Sequence, residues 1–90
     1  MIKKKLLIIS GKVQGVGFRY WMQNFAINNN ISGWVKNRSL GDVEALIIGQ
    51  EKKVQKLIKQ CKIGPSSSTI QNIQINDYDQ DYPKEGFNIF

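Results

Sequence analysis

The run Gly11-Lys12-Val13-Gln14-Gly15-Val16-Gly17-Phe18-Arg19 sets three glycines within seven positions and an arginine two residues past the last of them. Glycine reaches positive φ without penalty, so successive main-chain N–H groups can turn into one concavity. The run follows an apolar segment and leads into a helical pattern, which adds the free N–H groups and positive dipole end of a helix N-terminus. Arg19 adds a planar, permanently charged fork. All three devices favour a phosphate-like anion. A second stretch, Gly33 to Gly49, places Asn37 at the end of a predicted strand. Taken alone, the glycine loop also suits a purely structural tight turn, and Asn37 suits a turn residue bonding its own backbone.

Two better-known phosphate loops are excluded. A Walker A motif needs a second glycine followed by Lys and Ser or Thr, where Val16 and Gly17 stand. A dinucleotide fingerprint needs a third glycine after Gly15-Val16-Gly17, where Phe18, Arg19 and Tyr20 follow.

Composition narrows the chemistry further. The chain has 90 residues, enough for one domain, 1–90, with a small core. It has no histidine, so no imidazole base, nucleophile or metal ligand is available, and triad-type hydrolysis is excluded. The one cysteine, Cys61, rules out an internal disulfide and a cysteine-built zinc site. Asp77-x-Asp79-x-Asp81 hints at a calcium loop, but Tyr82 and Asn88 occupy the places of its glycine and final glutamate, so a solvated acidic loop is the better reading. Net charge is +6, unevenly spread: residues 1–62 carry twelve Lys and Arg against three Asp and Glu, while residues 63–90 carry Lys84 against four acids. A basic body favours an anionic partner, either nucleic acid or a small phosphorylated molecule. The amino-terminal lysines are followed by an apolar run too short for an export signal or a membrane span, and a reduced cytoplasm is expected.

These residues need elements to hold them. Lys5 to Ser10, rich in Leu and Ile, reads as a strand buried on both faces. Phe18, Trp21, Met22, Phe25 and Ala26 form one apolar helix stripe, closed by Asn28-Asn29-Asn30. Ile31–Asn37 and Asp42–Ile48 read as strands, with Trp34 in the core or partly so. Between them a loop with a bulge is expected rather than a two-residue turn, with Gly41 at positive φ, because Leu40 is a poor turn residue. Gln50–Lys62 is an amphipathic helix, with Val54, Leu57, Ile58 and Cys61 inward and five lysines outward. Gly64-Pro65 stops it. Ile70, Ile73 and Ile75 mark a strand with an irregular start, and Phe87, Ile89 and Phe90 suit a short closing strand. The order β-α-β-β-α-β implies an antiparallel sheet covered on one face by two helices.

With these elements in place, two stretches resemble the signatures of the acylphosphatase family. Gly11-x-Val13-Gln14-Gly15-Val16-x-Phe18-Arg19 is similar to the first, and Gly33-Trp34-Val35-Lys36-Asn37-x-x-x-Gly41-x-Val43-x-x-x-x-x-Gly49 to the second. Every fixed position is filled. The resemblance implies a ferredoxin-like α/β sandwich of the α+β kind. It implies hydrolysis of a carboxyl–phosphate anhydride, with Arg19 and Asn37 catalytic and the backbone of Gln14, Gly15, Val16, Gly17 and Phe18 cradling the phosphate. No cofactor and no metal are implied. The partner is then a small acyl phosphate, with no membrane or nucleic acid expected, and the protein a cytoplasmic monomer. The start Met and closing apolar strand suggest a free-standing enzyme rather than a module of a larger one. An RNA-binding module shares the element order, but it needs stacking aromatics on the central strands, and Leu6–Ile9 and Asp42–Ile48 contain none.

Overall fold

A computed structural model describes residues 1–90. The chain order is β1 (Ile2–Lys12), α1 (Phe18–Asn28), β2 (Ser32–Asn37), β3 (Val43–Gln50), α2 (Glu51–Cys61), β4 (Thr69–Asp77) and β5 (Phe87–Ile89). The strands form one sheet in the order β4-β1-β3-β2-β5.

Period-two alternation decides which side chains meet the helices. Leu7 lies opposite Ala45, Ile9 opposite Val43, and Val35 opposite Ala45 on the other side of β3. All five are buried, together with Ile47, and they meet Phe18, Met22 and Ala26 of α1 and Val54, Leu57 and Cys61 of α2 in one core. The alternate residues face away from the helices. Leu6 and Ile8 are therefore only half-buried, and the expectation of a β1 covered on both faces does not hold. Two helices cover one face of a five-stranded sheet, and nothing covers the other. Leu46, at the centre of that open face, is nonetheless sealed between its neighbours.

The sheet is mixed, which corrects the expected all-antiparallel arrangement. β1–β3, β1–β4 and β2–β3 pair antiparallel, whereas β5 runs parallel to β2, with Val35 opposite Ile89. The path of the chain explains this. β4 ends beside Lys5, at the end of the sheet where β1 and β2 begin. The polar connection 78–86 crosses to the far edge at that same end, so the strand that follows can only run alongside β2 in its direction.

Local stops fall where the residues allow. Asn30 takes φ 56 after α1, and Gly64 takes φ 68 after α2, with the N–H groups of Ile63 and Gly64 both donating to Gln60 O. The irregular start of β4 is a register shift between Ser10 and Gly11 that skips Gln71. Gly11 sits so close to that strand that a Cβ would stand 2.1 Å from Thr69 O.

Candidate phosphate-binding site

The ends of β1, β2 and β5 come together at one end of the sheet. The loop after β1 carries the glycines, and the backbone there is built to present N–H groups. Gly15 has φ 73 and Gly17 has φ 78, ψ 16, both left-handed. Gly17 is the N-cap of α1, with no capping side chain and no acid in the first turn. From Gly15 onward, the first main-chain N–H to find an acceptor is that of Trp21, which donates to Gly17 O at 3.0 Å. The N–H groups of Gly15 through Tyr20 meet no acceptor of the protein, backbone or side chain. An unsatisfied run of this length extends the ordinary helix-end surplus back through the loop and leaves a concentrated donor surface. A Cβ at Gly15 or Gly17 would meet nothing within 4 Å, so both residues border open space.

Arg19 stands at the second position of α1. Its Nη1 donates to the main-chain oxygen of Phe90 at 3.2 Å. Phe90 in turn donates its N–H to Val35 O at 2.9 Å, which seats it against the last turn of chain before Asn37. Arg19 has no Asp or Glu partner. The chain's other arginine, Arg38, is committed to Asp42, with Nε 2.9 Å from Oδ1. That contact is off the line of the N–H bond, and Asp42 Oδ1 accepts no hydrogen bond, so the pair is held by charge. Of the two guanidiniums, only that of Arg19 is free of an Asp or Glu side chain.

Asn37 is the last residue of β2, opposite Val43, and its side chain is exposed. The hairpin beyond it is the longer loop expected. Arg38 N–H donates to Asp42 O at 2.9 Å and Gly41 N–H to Arg38 O at 3.1 Å, with Gly41 at φ 97. Leu40 rides on the tip, 82% exposed. Gln14 joins this hairpin to the glycine loop: its Nε2 donates to Arg38 O at 2.8 Å and to Asp42 O at 2.9 Å.

Thus the residues singled out from the sequence, Gln14 to Phe18, Arg19 and Asn37, all lie at one end of the sheet. Two contributions were not foreseen. One is the side chain of Gln14, since only its backbone was implicated. The other is Phe90 as the acceptor for Arg19. Neither leaves a local trace, because each contact spans a long stretch of chain. Trp34 is partly buried on the open face, its ring 6.1 Å from that of Phe90 and 5.3 Å from Lys36 Nζ. A cavity of about 410 Å³ lies elsewhere, at the far end of α1, lined by Ile27, Asn30, Ile31 and Phe87 among others, and contains none of the loop donors. No helix is long and apolar enough to cross a membrane.

Comparisons with known proteins match the chain over nearly its whole length. The family model described as Acylphosphatase matches residues 5–89. A curated acylphosphatase of Rhodopseudomonas palustris strain BisB5 is 38% identical over 88 residues, covering 92% of this chain and 89% of the relative. The crystal structure of an acylphosphatase from Bacillus subtilis superposes with a TM-score of 0.93 at 36% identity, covering 100% of this chain and 99% of that one. Full-length HypF, solved in a phosphate- and nucleotide-bound form, also matches, with a TM-score of 0.86 at 30% identity over 100% of this chain and only 12% of its own.

Proposed function

The chain belongs to the acylphosphatase family, and from that premise we propose how this hydrolase cleaves the carboxyl–phosphate bond of small acyl phosphates with the residues gathered at one end of its sheet. The unsatisfied N–H groups from Gly15 to Phe18, with that of Gln14, hold the phosphoryl oxygens, and Arg19 grips two of them with parallel N–H bonds. The observation that carries this reading is the run of main-chain donors, Gly15 through Tyr20, left without a protein acceptor beside an arginine that no Asp or Glu side chain neutralises.

The reaction asks little else of the protein. The water oxygen forms a bond to phosphorus as the bond to the acyl oxygen breaks. The leaving carboxylate is a weak base and departs without a general acid, which suits a chain with no histidine. Asn37 accepts a hydrogen bond from the water and aims it in line. A non-bridging phosphate oxygen takes the proton, so the products are a carboxylate and dihydrogen phosphate. Charge spread over the equatorial oxygens in the transition state is met by donors already in place.

Residues 1–90 act as a single domain in this reading, monomeric and cytoplasmic. The lone buried thiol supports a reducing compartment, and the polar edge strand β4 supports a monomer. Hydrolysis of benzoyl phosphate by the isolated chain tests the activity. Turnover inhibited competitively by inorganic phosphate is expected, and no turnover above the spontaneous rate contradicts it.

A further inference from the structure

Gln14 occupies the junction of the two halves of the site. It is the residue before Gly15, so its backbone begins the donor loop. Its side chain turns the other way and ends on the hairpin that carries Asn37. Both hydrogens of one nitrogen are spent there, on Arg38 O at 2.8 Å and Asp42 O at 2.9 Å, and the amide is partly buried. The orientation of the carboxamide is unambiguous, because only an NH₂ group satisfies two carbonyl acceptors at once. Those two carbonyls are the ones that close the hairpin: Asp42 O accepts from Arg38 N–H and Arg38 O from Gly41 N–H. A single nitrogen therefore ties the loop to the residue that follows Asn37 and to the residue that precedes Val43, the strand partner of Asn37.

We infer that Gln14 is a positioning residue, whose side-chain amide sets the place of Asn37, and with it the attacking water, relative to the phosphate held by the loop. This rests on the assignment of Asn37 to water positioning. The need for such a link follows from the topology. The loop lies between β1 and α1, and Asn37 lies at the end of β2; β3 stands between β1 and β2 in the sheet. The hairpin tip is exposed, with Leu40 in solvent, so β-pairing below Asn37 does not by itself fix the hairpin against the loop. In-line attack tolerates little misplacement of the water. Glutamine meets the need by type. Asparagine is one methylene short, glutamate has no hydrogens to give and would set a negative charge beside the bound anion, and methionine has the length without the donors.

The test compares Gln14→Met, Asn37→Ala and the double variant on benzoyl phosphate, with inorganic phosphate as inhibitor. Gln14→Met is expected to lower kcat about 10²-fold, the penalty of a small misplacement, with KM and phosphate inhibition nearly unchanged. In the Asn37→Ala background the same substitution should cost little more, since the residue it positions is gone. The inference is overturned if Asn37→Ala impairs kcat while Gln14→Met does not, if phosphate inhibition weakens as much as kcat falls, or if the two losses multiply in the double variant. If Asn37→Ala is itself without effect, the water-positioning reading fails, and this inference with it. The unaltered protein supplies a second measurement, independent of how any variant folds. The Gln14 carboxamide protons should be protected from solvent exchange, and exchange at the rate of a free amide overturns the link.

Discussion

Arg19 and Phe90 lie 71 residues apart in sequence, yet the guanidinium Nη1 of the first donates to the main-chain oxygen of the second at 3.2 Å. This bond couples the start of α1 to the residue that follows β5. Because Phe90 also bonds Val35, it holds the guanidinium at the same end of the sheet as Asn37. A long, flexible side chain is thereby partly ordered before any anion arrives, which lowers the entropy cost of gripping one.

Arg19 is expected to be indispensable. Arg19→Ala should abolish nearly all turnover of benzoyl phosphate. Arg19→Lys should be almost as damaging, because an ammonium cannot place two parallel N–H bonds on one phosphate. Steady-state kinetics check this, and near-native rates in the lysine variant would contradict the bidentate role.

Asn37→Ala should lower kcat roughly 10²- to 10³-fold, the usual consequence of losing one positioned polar group. Inhibition by inorganic phosphate should stay close to its original strength, since the loop and Arg19 are untouched. Equal losses in kcat and in phosphate affinity would place Asn37 on the anion instead of the water.

Cys61 faces the core from α2, and burial pushes its thiol up from 9.0 to about 12. The native protein should therefore resist thiol reagents at neutral pH and react only as fast as it unfolds. The sign of the pH effect follows by linkage. The unfolded chain releases this proton near pH 9 and the folded one does not, so this contribution is intact below that pH and is lost as pH rises towards 12. Cys61→Ala should keep full specific activity where folded, at a cost on the order of 1 kcal/mol in stability. Reduced activity in a folded variant would give the thiol a role that its burial denies it.

Lys5 hydrogen-bonds the Asp77 carboxylate and, through that bond first and its charge second, lowers the carboxyl below its ordinary 3.8. A depressed folded value means the pair stabilises above the unfolded value and ceases to as pH falls through the folded one. Melting temperatures of the wild type and Asp77→Asn should thus converge as pH drops below 3.8, while differing slightly at neutral pH because both partners are solvent-accessible. Curves that diverge on acidification would contradict the assignment.

Most of the architecture was legible because its causes are local. The Phe18–Ala26 stripe, the Val54–Cys61 stripe, the positive-φ glycines and the breaks after Asn28 and at Gly64 all follow from residue type and spacing. The parallel seating of β5 was not, since it depends on which end of the sheet the 78–86 connection crosses. The half-exposed Leu6 and Ile8 were misread because an unbroken apolar run looks the same whether one face or both are covered. In the site, the glycine loop and Arg19, one of only two arginines, stand out by type and spacing as candidates for an anion, whereas Asn37, one of eight asparagines, is singled out only by the resemblance to the family signature. Gln14 and Phe90 could not be given their parts, for each acts through a contact that only the folded chain creates.

The central claim is that main-chain amides of the glycine loop and the Arg19 guanidinium receive the same phosphate. Titration of the ¹⁵N-labelled protein with inorganic phosphate, followed by amide and arginine Nε resonances, tests it most directly. The amides of Gly15 to Phe18 and the Nε of Arg19 should shift together along one saturating curve, whose midpoint equals the inhibition constant for hydrolysis. Shifts confined to the lysine face of α2, with the loop and Arg19 unmoved at saturation, would contradict it.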